Sequence, residues 1–336
     1  MTDPMRPDML FILGRGRSGT TLLATMLNRH AQISTPPEAL FIMTLYAKYR
    51  NAAWDRGTII AFQKDLLREV KLSRWSMDHD ALMADLLSLE GSSSSYADYC
   101  TAVHRQYAKQ QGKSESVIIG NKNPGLSMFA EVLVNCFPNA KFIHIIRDYR
   151  DNIESFRVVR FDLNNISALA FRWKAYVELV DSVASRYPDR FITVRFEDLV
   201  SDPGTELKRI CAFLKVGYTD AMLQRKVQRD RVDLAWHANV ARPLDSGIIG
   251  KWRRSLSPKD AQKAELVCDA TARRFGYRSE LPKNKALLPA TLPGVAYGWF
   301  VTFLEKNVYR LPVALQMTII NGYRRMTKSI TSAKAR

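Results

Sequence analysis

Residues 9–21 read Met9-Leu-Phe-Ile-Leu-Gly-Arg-Gly-Arg-Ser-Gly-Thr-Thr21. Met9 to Leu13 is an unbroken apolar run, the pattern of a short strand buried on both faces of a parallel sheet. Gly14-Arg15-Gly16-Arg17-Ser18-Gly19 then turns the chain sharply, and Thr20, Thr21 and Leu22 to Leu27 start a helix. Strand, Gly-rich turn and helix N-terminus together make a phosphate cradle. The first N–H groups of a helix have no intrahelical acceptor, and the helix dipole adds partial positive charge at the same place.

A nucleotide-hydrolysing loop runs G-x-x-x-x-G-K-[ST]. Gly14 and Gly19 keep that spacing, but Thr20 stands where the lysine would be. The loop keeps its shape and loses its lysine point charge, while Arg15 and Arg17 supply positive charge from within. The pattern predicts a site that holds phosphate without the Lys and Mg²⁺ apparatus of ATP hydrolysis. An ordinary Gly-rich βα turn is the structural alternative.

Working outward, Pro36-Pro37 stiffens the chain and Glu38 follows at once. A carboxylate placed after two prolines is held with little entropy cost. A helix over Ala39 to Tyr49 would equally make it an N-terminal acid that stabilises the dipole. Helical periodicity over Ile59–Val70, His79–Leu89 and Tyr96–Gln110 predicts a helical insertion at about 45–115. A strand over Val117–Gly120 leads into Asn121-Lys122-Asn123-Pro124. This βα turn would bring Lys122 to an anion at the carboxyl edge of the sheet. Lys141–Ile146 is the next strand and ends at Arg147, with Ser155 about two turns along the following helix. An arginine grips phosphate bidentately, and the serine adds a hydroxyl from the same side. Asp148 and Asp151 read as helix-capping groups that orient the arginines. A long amphipathic helix from Ile166, a strand over Phe191–Phe196 and a closing helix over Asp260–Tyr277 complete an α/β pattern: a central parallel sheet flanked by helices.

The arrangement resembles the sulfotransferases that use 3′-phosphoadenosine 5′-phosphosulfate (PAPS). Arg17-Ser18-Gly19-Thr20-Thr21 after a buried strand is similar to their 5′-phosphosulfate loop. LLATMLNRHAQISTPPEALFI is most similar to the tyrosylprotein-sulfotransferase-like branch and its bacterial relatives. The resemblance covers about residues 8 to 278 and implies a P-loop NTPase-like three-layer fold. It implies that Glu38 is the catalytic base and that Lys122 assists the sulfuryl group. Arg15, Gly16, Arg17, Ser18, Gly19, Thr20 and Thr21 would hold the 5′-phosphosulfate, and Arg147 and Ser155 the 3′-phosphate. Ser246 to Arg253 resembles the loop that folds over the nucleotide in cytosolic members. Gly247, Gly250 and Trp252 fit it. Asp245-Ser246 replaces the leading Arg-Lys pair, so Lys251 or Arg253 would have to compensate. Leu40 stands where the tyrosylprotein branch has an arginine, which points to a glycan or lipid-linked hydroxyl rather than an acidic tyrosine peptide. The scheme needs no metal.

Length and composition fit this reading. The chain has 336 residues, 46% hydrophobic and 25% charged, with 50 Lys and Arg against 33 Asp and Glu. The formal charge of +17 favours anionic partners such as nucleotides or an anionic membrane face, and no nucleic-acid motif appears. Cys100, Cys136, Cys211 and Cys268 are far apart, as expected of free buried thiols rather than a metal site. The N-terminus has no signal-peptide pattern and no Golgi-type anchor, so the expected setting is cytoplasmic and bacterial, with oligomerisation open. The expected domains are a catalytic unit over 1–280 and a basic amphipathic extension over 281–336. In that extension Leu287–Leu304 is interrupted by Pro289, Pro293, Gly294 and Gly298, and Leu311–Ile320 is a second apolar run. Neither suggests a membrane-spanning helix. With Arg324 to Arg336 behind them, they suit peripheral contact with an anionic membrane through 286–336; packing on the catalytic unit and a dimer contact are the rivals. Two other readings of the whole chain stand beside the main one: a kinase or NTPase with a degenerate loop, and a non-catalytic basic membrane-binding protein.

Overall fold

The computed structural model describes residues 9–69, 71–91, 93–113, 118–159, 164–224 and 246–312, with 315, 316, 318, 319 and 322 beyond them. Strands β1 (Met9–Leu13), β2 (Ile33–Ser34), β3 (Ile118–Lys122), β4 (Lys141–Ile146) and β5 (Phe191–Arg195) form one sheet in the order β2-β3-β1-β4-β5. Every pairing is parallel; Met9 lies beside Ile119 and Leu10 beside Lys141. The unbroken apolar run of β1 has its reason in this position. Met9, Phe11 and Leu13 point to one core, and Leu10 and Ile12 to another on the opposite face. All five are essentially inaccessible to solvent.

The first face carries the helices expected between the loop and β3: α2 (Phe41–Thr44), α3 (Tyr46–Tyr49), α4 (Arg56–Leu66), α5 (His79–Leu87) and α6 (Tyr96–Gln110), followed by α7 (Ala130–Cys136). Each longer one starts at an acceptor for its orphan amides: Asp55 takes Thr58 N, Asp78 takes Ala81 N, and Ser95 with Asp98 forms a capping box. An aromatic cluster fills the space beneath them, with Trp54 stacked on Tyr99 at 3.7 Å between ring centroids. The other face is covered by α1 (Thr20–Leu27), α10 (Phe196–Ser201) and α11 (Pro203–Leu214). Beyond the β4 end, α8 (Tyr149–Val159), α9 (Ile166–Ala184) and α13 (Pro258–Arg274) build a third core around Trp173. Between α11 and α13 lies the short α12 (Trp252–Ser255).

Two expectations change. The strand carrying Lys122 runs through it, so Lys122 is the last residue of β3 rather than part of a turn. In the C-terminal extension the supposed breakers do not break: α14 (Leu288–Asn307) is one 20-residue helix. Pro289 lies in its first turn, where no amide donor is needed. Pro293 follows within the second turn and forfeits only the bond to the residue four before it. Gly294 and Gly298 face α9 at a distance no side chain would allow. A Cβ on Gly298 would lie 2.8 Å from the Ala168 carbonyl oxygen, and one on Gly294 2.3 Å from Asn165 Oδ1. Including its flanking turns, Lys285–Arg310 is long and apolar enough to cross a membrane by length and composition. Asp245 and the basic segment 324–336 lie outside the described residues.

Candidate active site

Chain order places β1 at the centre, with β2 and β3 on one side and β4 and β5 on the other. The carboxyl ends of β3, β1 and β4 therefore sit side by side where the strand order reverses, the crevice in which open α/β sheets bind ligands. From β1 comes the loop, from β3 Lys122 and from β4 Arg147.

The loop is held in a shape that few residues could adopt. Gly14 and Gly19 have φ of 149° and 92°, and a Cβ on either would come within 2.3 Å of Ile145 O or Phe196 Cδ2. Arg17, at φ 66°, is in the left-handed region without being glycine. Gly19 is the N-cap of α1 and offers no side-chain acceptor, so the first amides of α1 remain for a ligand. Two side chains unforeseen in the sequence fix the loop from outside. Ser127 Oγ accepts the Gly14 amide at 2.8 Å and donates back to the Gly14 carbonyl at 3.1 Å. Asn152 Nδ2 donates to Gly16 O at 2.8 Å and to Ser18 Oγ at 3.1 Å.

The arginines divide their work. Arg17 Nε donates to Ser155 Oγ at 3.0 Å, and Arg147 donates to the Arg17 carbonyl at 3.2 Å. These two cations are neighbours. Burial, then the nearby Arg147, pull the Arg17 guanidinium below its ordinary value; burial does the same to Arg147. Two like charges brought together at low exposure are relieved by an anion between them. Arg147 Nε has no hydrogen-bond partner among the described residues. Arg15 is placed otherwise than expected. It is buried, with its guanidinium 4.3 Å from the Phe156 ring and 5.3 Å from the Tyr176 ring, so it packs the floor behind the loop. Ser18 and Thr20 are buried in the cradle.

At the other end of the cradle, Lys122 Nζ donates to Thr21 Oγ1 at 3.1 Å and to Glu38 Oε1 at 2.6 Å. Glu38 is thus carried to the loop, ahead of α2; Trp75 Nε1, donating to Pro37 O at 2.9 Å, and Asn123, donating to Ala39 O, fix its approach. A second lysine, Lys71, reaches Glu38 Oε2 at 3.0 Å. It comes from the helical insertion, and no motif marks it. Burial pushes the Glu38 carboxyl up, but Lys122 and Lys71 together outweigh that and hold it far below the usual carboxylate range.

The segment that resembles the nucleotide-covering loop is tied to the site by an acid. Asp151 accepts the Gly250 amide at 2.6 Å and the Trp252 amide at 3.0 Å. Trp252 is buried under the Arg150 guanidinium, 4.2 Å from its ring centre, while Arg253 is paired with Glu280 and Lys251 is exposed. Asp148, by contrast, caps α8 and pairs with Arg150, as expected. Arg147 also donates to Ile248 O at 3.1 Å, joining this segment to the loop.

A family model for the sulfotransferase family matches residues 7–220. In sequence the chain is 25% identical over 282 residues to protein-tyrosine sulfotransferase 1 of Danio rerio, covering 80% of this chain and 72% of that protein. Against the Homo sapiens protein-tyrosine sulfotransferase 1 the figures are 24% over 283 residues, 80% and 69%. In structure it is similar to the sulfotransferase domain of the Synechococcus PCC 7002 olefin synthase, with a TM-score of 0.58 and 25% identity over 84% of this chain and 98% of that domain. A sulfotransferase domain of the curacin biosynthetic pathway shares the fold at a TM-score of 0.53 and 23% identity, over 82% and 99%. The family match begins before the loop and ends past β5, so every strand of the P-loop NTPase-like sheet and each side chain that converges on the cradle fall inside it, and on that ground the chain belongs to the sulfotransferase family and is a transferase.

Proposed function

We propose that this enzyme transfers a sulfuryl group from PAPS to an acceptor hydroxyl and releases 3′,5′-ADP. The observation that carries the reading is Lys122, which touches the loop through Thr21 and the carboxylate of Glu38 at once. The site fits the donor: two glycines, where a Cβ would strike Ile145 or Phe196, shape the cradle, and a half-buried arginine pair, Arg17 and Arg147, lies beside it. PAPS supplies the sulfuryl group, whose bond to the 5′-phosphate oxygen breaks as the acceptor oxygen bonds to sulfur. The amides of α1, Thr20 and Thr21 bind the 5′-phosphate side; Arg17, Arg147 and Ser155 bind the 3′-phosphate side. Lys122 stabilises charge on the sulfuryl and leaving oxygens. Glu38 takes the acceptor's proton. While paired to two lysines it is a weak base, and Lys122 turning toward the donor strengthens it, which couples donor binding to deprotonation.

The acceptor we favour is a glycan or lipid-linked hydroxyl, because the residue two beyond the base is the neutral Leu40. A tyrosine acceptor is the second reading, supported by the names of the relatives. The test is a thermal-shift titration with 3′,5′-ADP, 5′-ADP and Mg²⁺-ATP. Selective stabilisation by 3′,5′-ADP, about 2.7 kcal/mol at a hundred times its Kd, is expected. Stabilisation by Mg²⁺-ATP alone would refute the donor. Sulfation assays with labelled PAPS on tyrosine peptides and on glycolipids then separate the two acceptors.

A further inference from the structure

The C-terminal helix α14 is built inside out. The residues it buries are small: Thr291, Gly294, Gly298 and Thr302 face α9. The residues it exposes are large and apolar: Leu292 is 60% exposed, Trp299 56%, Phe300 51% and Phe303 50%. A helix of a water-soluble domain turns its large apolar side chains inward. Here the glycines bring the backbone against α9 and leave a continuous aromatic face outside, with Trp299 and Phe303 stacked at 5.5 Å. An exposed patch of this kind marks an interaction surface.

The charge around it decides the partner. Ala286 to Leu304 contains no charged residue, and Lys283, Lys285, Lys306 and Arg310 flank it at both ends. After Glu305 the chain also carries Arg324, Arg325, Lys328, Lys334 and Arg336 and no acidic residue. Cations on both sides of an aromatic, uncharged face complement a layer whose surface is anionic and whose interior is apolar. Length and composition would let this helix span a bilayer, but its seating rules that out. Its small face is packed on α9, whose Trp173 is fully buried in the catalytic unit. Its end is pinned there by Arg172 to Glu305 at 2.5 Å and Tyr176 Oη to Glu305 at 2.8 Å.

We infer that α14 is an in-plane anchor that docks this enzyme on an anionic lipid bilayer, with its aromatic face in the acyl-headgroup boundary and the flanking Lys285, Lys306 and Arg310 on the headgroups. The inference does not depend on the donor or the acceptor. The test uses the full-length protein with vesicles of phosphatidylcholine, alone or with a minor fraction of phosphatidylglycerol. Co-sedimentation with the anionic vesicles is expected, with brominated acyl chains quenching Trp299. The surface variant Trp299→Ser/Phe300→Ser/Phe303→Ser should lower partitioning at least about tenfold and keep the wild-type circular-dichroism melt. Lys285→Gln/Lys306→Gln/Arg310→Gln should cost roughly a hundredfold at low salt, at about tenfold per 1.4 kcal/mol, and weaken the preference for anionic lipid. Wild-type protein that fails to bind anionic vesicles, or a triple aromatic variant that binds as well as wild type, would overturn the inference. So would an aromatic variant that only converts a lipid-free dimer to a monomer, which would make the face a contact between copies.

Discussion

Replacing Glu38 by Gln removes a negative charge from between two lysines and leaves the shape almost unchanged. Lys122 is 8% exposed and loses a partner at 2.6 Å; the Glu38 side chain is 28% exposed. Stripping one partner from a fully buried pair costs about 3–5 kcal/mol. The partial exposure here, and the amide oxygen that still accepts from one lysine, bring that to about 2 kcal/mol. With about 2.1 cal/mol/K of unfolding entropy per residue over 336 residues, the melting temperature falls by about 3 °C. The ligand response moves the other way. Lys122 faces the donor with less competition, so stabilisation by 3′,5′-ADP at a hundred times Kd stays at about 2.7 kcal/mol or more, about 4 °C on the same scale. Turnover falls by about 10²–10⁴-fold, the usual worth of a general base. Differential scanning fluorimetry and single-turnover sulfuryl transfer measure the three quantities. A variant that turns over within tenfold of wild type would move the base elsewhere. A variant that loses the 3′,5′-ADP response would make Glu38 a scaffold of the loop and refute the division of labour.

Lys71→Met leaves Glu38 with one lysine, so its carboxyl rises toward the ordinary range. Because the base must be ionised, the acid limb of the kcat profile moves to higher pH while donor binding is retained; an identical profile would show that Lys71 does not act on the base. Gly19→Ala forces a Cβ to within 2.3 Å of Phe196 at a φ of 92°, so a loss of about 1–3 kcal/mol in stability and loss of the 3′,5′-ADP shift are expected from melts with and without ligand. A normal ligand shift in that variant would mean the cradle tolerates a reshaped turn. Burial pushes the His144 ring down to about 3 and that of His104 to about 4. The unfolded chain protonates first, near pH 6.5, so stability falls as pH drops from about 6.5 toward 4. His144→Phe removes its share, about 3 kcal/mol at pH 4, and flattens the fall. Urea unfolding at pH 7 and pH 4 measures it, and an equal acid loss in wild type and variant would contradict the assignment.

The features legible in the sequence share one property: their neighbours in space are neighbours in the chain. β1, its loop and the start of α1 are consecutive, and so are β4, Arg147 and Ser155. Their apolar runs, glycines and spacings could be read directly. The bounds of β4 and α6 came out as the periodicity drew them because each begins and ends on local chemistry, such as the Ser95–Asp98 capping box. What escaped was contributed across the fold. Ser127 lies 113 residues from the glycine it holds, and Lys71 33 residues from Glu38. Neither stands in a pattern of its own. Asn152 was in view, inside the stretch that carries Arg147, yet its role requires knowing that α8 returns beneath the first loop.

The same distinction explains Arg15 and the C-terminal helix. A cation in a phosphate loop reads as a phosphate ligand, but loop side chains alternate in direction. Arg15 turns inward onto Phe156 and Tyr176 while Arg17, at positive φ, turns toward Ser155 and the β4 end. In α14 the prolines and glycines read, by local propensity, as breakers. Their effect on the helix depends on where they fall: one proline in the first turn, one in the second, and both glycines on the face that meets α9. A glycine costs a helix about 1 kcal/mol in propensity, and close packing against a partner recovers it. Breaker content therefore predicts a break only where no neighbouring element uses the missing side chain, and here α9 uses two.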